Sequence, residues 1–267
     1  MKKLLLLTLL TSTFLTVQSQ TYNNEWINYS QTYYKFKVGA NGIYRISQPT
    51  LAALGIGGTA AERFQLWRNG KQVTLYTTVP AGTMGATDYI EFWGEMNDGD
   101  ADNELYKIPD HQLNKKWSLE TDTAAYFLTI TPAGGNLRYT TAAFTLPSAL
   151  PVEPYFIHTT GKYYKEKINN GYAAVVGEYV YSSAYDQGEG WSSNDVGTGV
   201  TRSETFSGLA AYTGSGVSNP FVKTNVVGNA LNLWDVEVKV NGTTAITVPL
   251  NFFDYIKLQT PITPAQL

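Results

Sequence analysis

The sequence predicts a mainly β protein, built as two sandwich or jelly-roll-like domains with one short helix in the first. Three observations predict it. Aromatic residues are plentiful, with 19 Tyr, 11 Phe and 6 Trp, and 24 Gly and 11 Pro punctuate them; such side chains suit a pleated, half-buried surface. Short runs alternate apolar and polar residues, the period of a strand with one face inside. Two Asn-Gly pairs, Asn69-Gly70 and Asn241-Gly242, sit between such runs and are the strongest two-residue hairpin signal.

Taken in order, Met1-Lys2-Lys3 and the apolar stretch Leu4 to Val17, followed by Gln18-Ser19-Gln20, have the layout of a secretory signal peptide over residues 1–19. The stretch is too short to span a bilayer, and no Cys is present for a lipid. The mature chain is expected to be a soluble exported protein.

A first domain over 20–145 opens with Tyr33 to Val38. Gly39-Ala40-Asn41-Gly42 is expected to turn the chain so that Ile43 to Ile46 pairs back on it. Ser47 as N-cap, Pro49 in the first turn and Gly55 as the stop define a short helix over Thr50 to Leu54. Phe64 to Arg68 and Val73 to Val79 flank Asn69-Gly70 as a second hairpin. In Asp88 to Glu95, Ile90, Phe92 and Gly94 fall on one side of a strand, and Tyr89, Glu91, Trp93 and Glu95 on the other. Lys107 to Ser118 reads as irregular and Ala124 to Ile130 as a further strand.

Residues 146–154 carry three prolines, a stiff connector and the expected domain boundary. In the second domain, 155–267, the candidate strands are Val175 to Tyr181, Val200 to Leu209, Phe221 to Val227, Leu233 to Val240 and Ala245 to Leu250. The tail from Thr260 to Leu267 reads as a connector, so this domain is expected to be incomplete and the chain the front of a longer protein.

Composition narrows the chemistry. Cysteine is absent and only His111 and His158 occur, which removes disulfides, thiolate ligands and a thiol nucleophile together. Net charge is −3, and no Lys/Arg cluster interleaves with aromatics, so nucleic acid is not an expected partner.

The loop after Glu95 presents Asp98, Asp100, Asp102 and Glu104 at every second position. Such an oxygen-rich loop suits Ca²⁺, which takes six to eight hard oxygen ligands; the alternative is a solvated rim loop. No other cofactor is expected. It is not an EF-hand loop, since Asn103 stands where that loop needs Gly and Pro109 where it needs Glu. Glu91 and Glu95 would lie roughly 13 Å apart on one strand, too far for a glycosidase pair. Gly55-Ile56-Gly57 follows a helix instead of opening one, so it is a turn and not a dinucleotide fingerprint. Gln187-Gly188-Glu189-Gly190-Trp191 reads as a tight rim turn. Trp191 with Tyr179, Tyr181 and Tyr185 could stack on sugar rings or fill an inter-sheet core.

Several stretches in order carry a resemblance. Tyr33 to Val38, Gly42 to Ile46, Asp88 to Gly94 with Asn97-Asp98-Gly99, Leu105-Tyr106 and Thr121 to Thr129 resemble the N-terminal region of PorU-like proteins. These are gingipain-type cysteine peptidases that act as sortases of the bacterial type IX secretion system. The second domain, with Gly188 to Trp191, looks like the β domain before the peptidase in that family. The resemblance implies the exported, non-catalytic front of such a protein, at the outer membrane, cell surface or outside of a Gram-negative type of cell, scaffolding a downstream peptidase domain and contacting cargo or secretion components. The family's catalytic Cys and His cannot be carried over, because the chain has no cysteine. Read without the resemblance, the residues also fit an exported carbohydrate-binding or adhesin-like protein that meets a surface glycan.

Overall fold

The structure is a computed structural model that describes residues 24–143, 151–173, 180–182, 184–216 and 218–267. The expected leader, most of the Pro-rich stretch, Tyr179 and most of Val175 to Tyr181 lie outside those residues. Strands dominate, as the sequence predicts, and every pairing of two strands among the described residues is antiparallel. The chain forms two compact units. One holds residues up to Glu95 together with Ala124–Thr141, and the other holds Met96–Thr123 and residues after 141.

In the first unit, β1 (Tyr34–Val38), β7 (Ala124–Ile130), β3 (Phe64–Arg68) and β4 (Lys71–Val73) make a sheet in the order β1-β7-β3-β4. A second sheet runs β2 (Gly42–Ser47), β6 (Tyr89–Gly94), β5 (Tyr76–Thr77). The inward residues of both sheets share one core: Val38, Phe64, Leu66, Tyr126 and Leu128 from the first, Ile90 and Phe92 from the second. That is the two-layer arrangement the alternation predicts. Phe36, Phe92 and Tyr126 meet ring to ring at centroid separations of 5.4 to 5.8 Å. The Tyr126 hydroxyl accepts from Glu95 N at 2.8 Å, which fixes the end of β6.

Two pairings differ from those expected. β2 does not fold back on β1; it crosses to the other layer and pairs with β6, Gly42 opposite Gly94 and Ser47 opposite Tyr89. The crossing is tight at Gly94, where an added Cβ would stand 2.5 Å from the Tyr44 ring and 3.2 Å from a Val38 methyl. Val73 to Val79 is likewise two strands, β4 in one sheet and β5 in the other, with Leu75 fully buried between them. Each run alternates correctly, but alternation does not name a partner.

Local signals are met closely. Asn69 and Gly70 have φ of 47° and 72°, and Asn241 and Gly242 have 47° and 81°, the left-handed pair a two-residue hairpin turn needs. Helix α1 (Gln48–Ala53) has Ser47 as N-cap, its hydroxyl accepting from Thr50 N, and Gly55 at φ 77° past its end.

The second unit consists of paired short strands: β8 (Lys167–Asn169) with β11 (Gly190–Ser192), β9 (Gly171–Ala173) with β10 (Val180–Ser182), β12 (Phe221–Val227) with β15 (Tyr255–Pro261), and β13 (Leu233–Val240) with β14 (Thr243–Asn251). Val200 to Leu209 forms no strand and is exposed throughout. Thr260 and Pro261 are not connector but the end of β15, and Ile262 after them is buried.

Candidate functional site

Gly99–Leu105 forms a short 3₁₀ helix, with the Asp98 side chain accepting from Asp100 N. Asp102 turns inward to 4% exposure and accepts from Ser118 Oγ at 2.9 Å and Leu119 N at 2.6 Å. Asp100 stays in solvent, 3.7 Å from Lys115 Nζ, and Glu104 is exposed. Among the described residues, no three His, Asp or Glu side chains gather as a metal set. Asp102 therefore ties the loop to residues 118–119, Asp98 caps the loop's own backbone, and Asp100 and Glu104 are exposed.

Around Asp102 a polar interior is assembled. Gly99 packs so closely that a Cβ would lie 2.9 Å from the Asn114 and Trp117 carbonyl oxygens. Gln112, buried, donates to Gly99 O at 2.5 Å and accepts from Asn103 Nδ2 at 2.8 Å. The Tyr106 hydroxyl donates to Glu189 O at 2.6 Å, and burial pushes this phenol far above its usual range. Lys107 pairs with Asp186 at 2.9 Å.

The Gln187 to Trp191 turn lies inside this network and not at a rim. Gly188 and Gly190 have φ of 76° and 146°, which a side chain rarely adopts, and both are buried. Burial raises the Glu189 carboxyl above its ordinary value, opposed by the hydrogen bond from Asp186 N. Trp191 donates its indole N–H to Ser118 O at 3.0 Å, and Tyr185 bonds to Glu120 and packs edge-on against Tyr106. Tyr181 bonds to Asn229 and meets Phe253 edge to face. Trp191 and Tyr185 are thus half-buried and hydrogen-bonded within the unit, while Tyr181 is 53% exposed.

A group of exposed aromatics stands on the outer face of the sheet β2-β6-β5. Alternation along β6 sends Ile90 and Phe92 into the core, so Tyr89, Glu91 and Trp93 must face out. Register then fixes the neighbours. Ile43 is opposite Trp93, and Glu91 stands between Arg45 on one side and Tyr76 on the other. Residues 137 to 139 run beside Leu75, with Tyr139 N donating to Leu75 O at 2.9 Å, and this brings Tyr139 to the same face. Ile43, Tyr76, Trp93 and Tyr139 are 73%, 42%, 48% and 53% exposed. With Glu91 they line a shallow hollow of about 270 Å³.

Charge in the hollow is fixed by one ion pair. Arg45 donates through Nε at 2.9 Å and Nη2 at 2.6 Å, both to Glu91 Oε1. Its guanidinium also lies 3.6 Å from the centre of the Tyr89 ring. Glu91 Oε2 accepts no hydrogen bond from any described residue. Glu95, by contrast, pairs with Arg68, so the two glutamates have separate partners. Sequence reasoning found Glu91 and Trp93 on one face but missed Arg45, Tyr76 and Tyr139, because only the register places them there.

A larger hollow of about 440 Å³ lies between the diverging β1 and β2, lined by Tyr34, Phe36, Ile46, Leu54 and Leu128 with Lys35, Arg45 and Thr50. Its two cations are engaged, Arg45 with Glu91 and Lys35 against the Phe127 ring. No helix of the described residues is long and apolar enough to cross a membrane. In comparisons with known proteins, no family model, curated protein or solved structure matches this chain.

Proposed function

We propose that the chain is a non-catalytic recognition and positioning module of an exported protein, similar to the front of a type IX sortase. In that setting it holds a downstream peptidase domain and contacts cargo or secretion components. What supports the reading is the division of labour across β6. Ile90 and Phe92 build the core, while Trp93 and Glu91 on the same strand stand on a face that the core does not use. Four of the stretches that carry the family resemblance fall on β1, β2, β6 and β7, which are framework strands.

The test has two arms. The purified chain is expected to leave peptide and glycosidic bonds intact, and an activity that survives repurification would overturn the non-catalytic role. Cells lacking the chain are expected to accumulate unprocessed exported cargo. Normal processing and anchoring there would remove the type IX setting and leave the second reading, a free exported carbohydrate-binding protein, which the exposed aromatics favour.

A further inference from the structure

We infer that the outer face of β2-β6-β5 is a carbohydrate site, taking one or a few pyranose rings over Trp93 and Tyr76 with Glu91 as the polar anchor. This rests on the reading of the chain as a recognition module and not on its type IX setting. A pyranose ring presents C–H bonds on its faces and hydroxyls around its rim. Its faces therefore suit the electron-rich faces of aromatic rings, and its hydroxyls need acceptors and donors beside those rings. The site supplies both. Glu91 stands in the middle, with Tyr76 on the neighbouring strand and Trp93 two residues along its own. Its Oε2 accepts no hydrogen bond from the described residues, and a carboxylate oxygen paired with a guanidinium is the stronger kind of acceptor. Arg45 holds the other oxygen, so the carboxylate is aimed before any ligand arrives.

Other occupants fit less well. Nucleic acid would place phosphates against a carboxylate, and the one guanidinium present is already spent on it. A lipid chain would bury Glu91 Oε2 without a hydrogen bond. A second copy of the chain needs about 800 Å² per partner for a stable dimer. Four exposed side chains around a 270 Å³ hollow do not supply that area. The hollow lies near the lower end of the ~300–1,000 Å³ range of small-ligand clefts, which matches a short run of sugar rings.

The experiment is titration of the purified chain with neutral hexose and N-acetylhexosamine oligosaccharides, followed by Trp fluorescence and calorimetry. At least one member is expected to bind with an affinity between micromolar and millimolar. Trp93→Ala and Tyr76→Ala should each weaken it tenfold or more, and Glu91→Gln several-fold. Tyr29→Ala, an exposed aromatic away from this face, should change nothing. Because the substituted side chains are exposed or half-buried, unchanged melting curves will show that the fold survives. No binding across the panel at millimolar glycan would overturn the inference, as would binding indifferent to Trp93 and Tyr76. Loss of a protein partner in Trp93→Ala without any glycan binding would also overturn it, while leaving the recognition role in place.

Discussion

The two units fill their interiors in opposite ways. The first buries Val38, Phe64, Leu66, Ile90, Phe92 and Leu128, with Thr77 and Thr129 as its only buried polar side chains among those described. The second buries Asp102, Gln112, Ser118, Asn169, Asp186 and Glu189 beside a few apolar groups such as Tyr106 and Phe253. An apolar interior is tolerant of direction, since burial alone stabilises it. A polar interior is not, because each buried donor or acceptor left without a partner costs about 1–3 kcal/mol. The first unit should therefore respond to lost volume and the second to lost hydrogen bonds.

The largest expected effect breaks the first kind of interior. Phe92→Ala removes a ring that touches Phe36, Tyr44 and Tyr126, and should cost about 3–5 kcal/mol. Denaturant unfolding followed by near-ultraviolet circular dichroism will show it; a loss under ~1 kcal/mol would mean that the core is loosely packed. Next comes Asp102→Ala, which strands Ser118 Oγ and Leu119 N and should cost about 2–3 kcal/mol with little change in volume. Hydrogen exchange should report faster exchange at Leu119; if it is unaltered, Asp102 is not what orders that loop.

Turns offer a control that should not distinguish the units. Gly70→Ala and Gly242→Ala both force a side chain into the left-handed region, at about 1–2 kcal/mol each. Equal losses are expected, and a marked inequality would show that one hairpin is strained by its surroundings.

A smaller effect concerns pH. Burial holds the Glu189 carboxyl pKa above its unfolded value, so the folded state keeps that proton more tightly. Its contribution is therefore most favourable below the unfolded pKa of about 4.3. It declines as pH rises through the folded value. Glu189→Gln should flatten the fall in melting temperature over that window while its oxygen still accepts from Asp186 N. A variant with the same pH profile as the parent would rule this out. Smallest of all is chelation. With Asp102 bound to Ser118 and Leu119, EDTA should leave the melting temperature unchanged, and a drop reversed by Ca²⁺ would show that Asp98, Asp100, Asp102 and Glu104 gather after all.

What could be read from the residues alone was what neighbours along the chain decide. The alternation of β6, the Asn-Gly turns and the Ser47 cap are local, and each is in place. What escaped was choice of partner. Nothing in Ile43 to Ile46 says that it pairs with residues 89–94 and not with the strand just before it. Nor does an alternation of Asp with Ala and Asn say that Asp102 alone will turn inward. The same limit hid the aromatic face: Trp93 and Glu91 were legible on one strand, while Tyr76 and Arg45 needed two further strands in register.

One feature of the topology bears on how the protein is made. β7 is the strand between β1 and β3, yet the chain builds residues 96–123 for the other unit before reaching it. A polypeptide that emerges amino end first, from a ribosome or through a translocation channel, must hold β1 and β3 apart until Ile130 is clear. Over that interval the edges of β1 and β3 that β7 will join have no backbone partner, and unpaired edges of this kind are the ones that recruit strands of other chains.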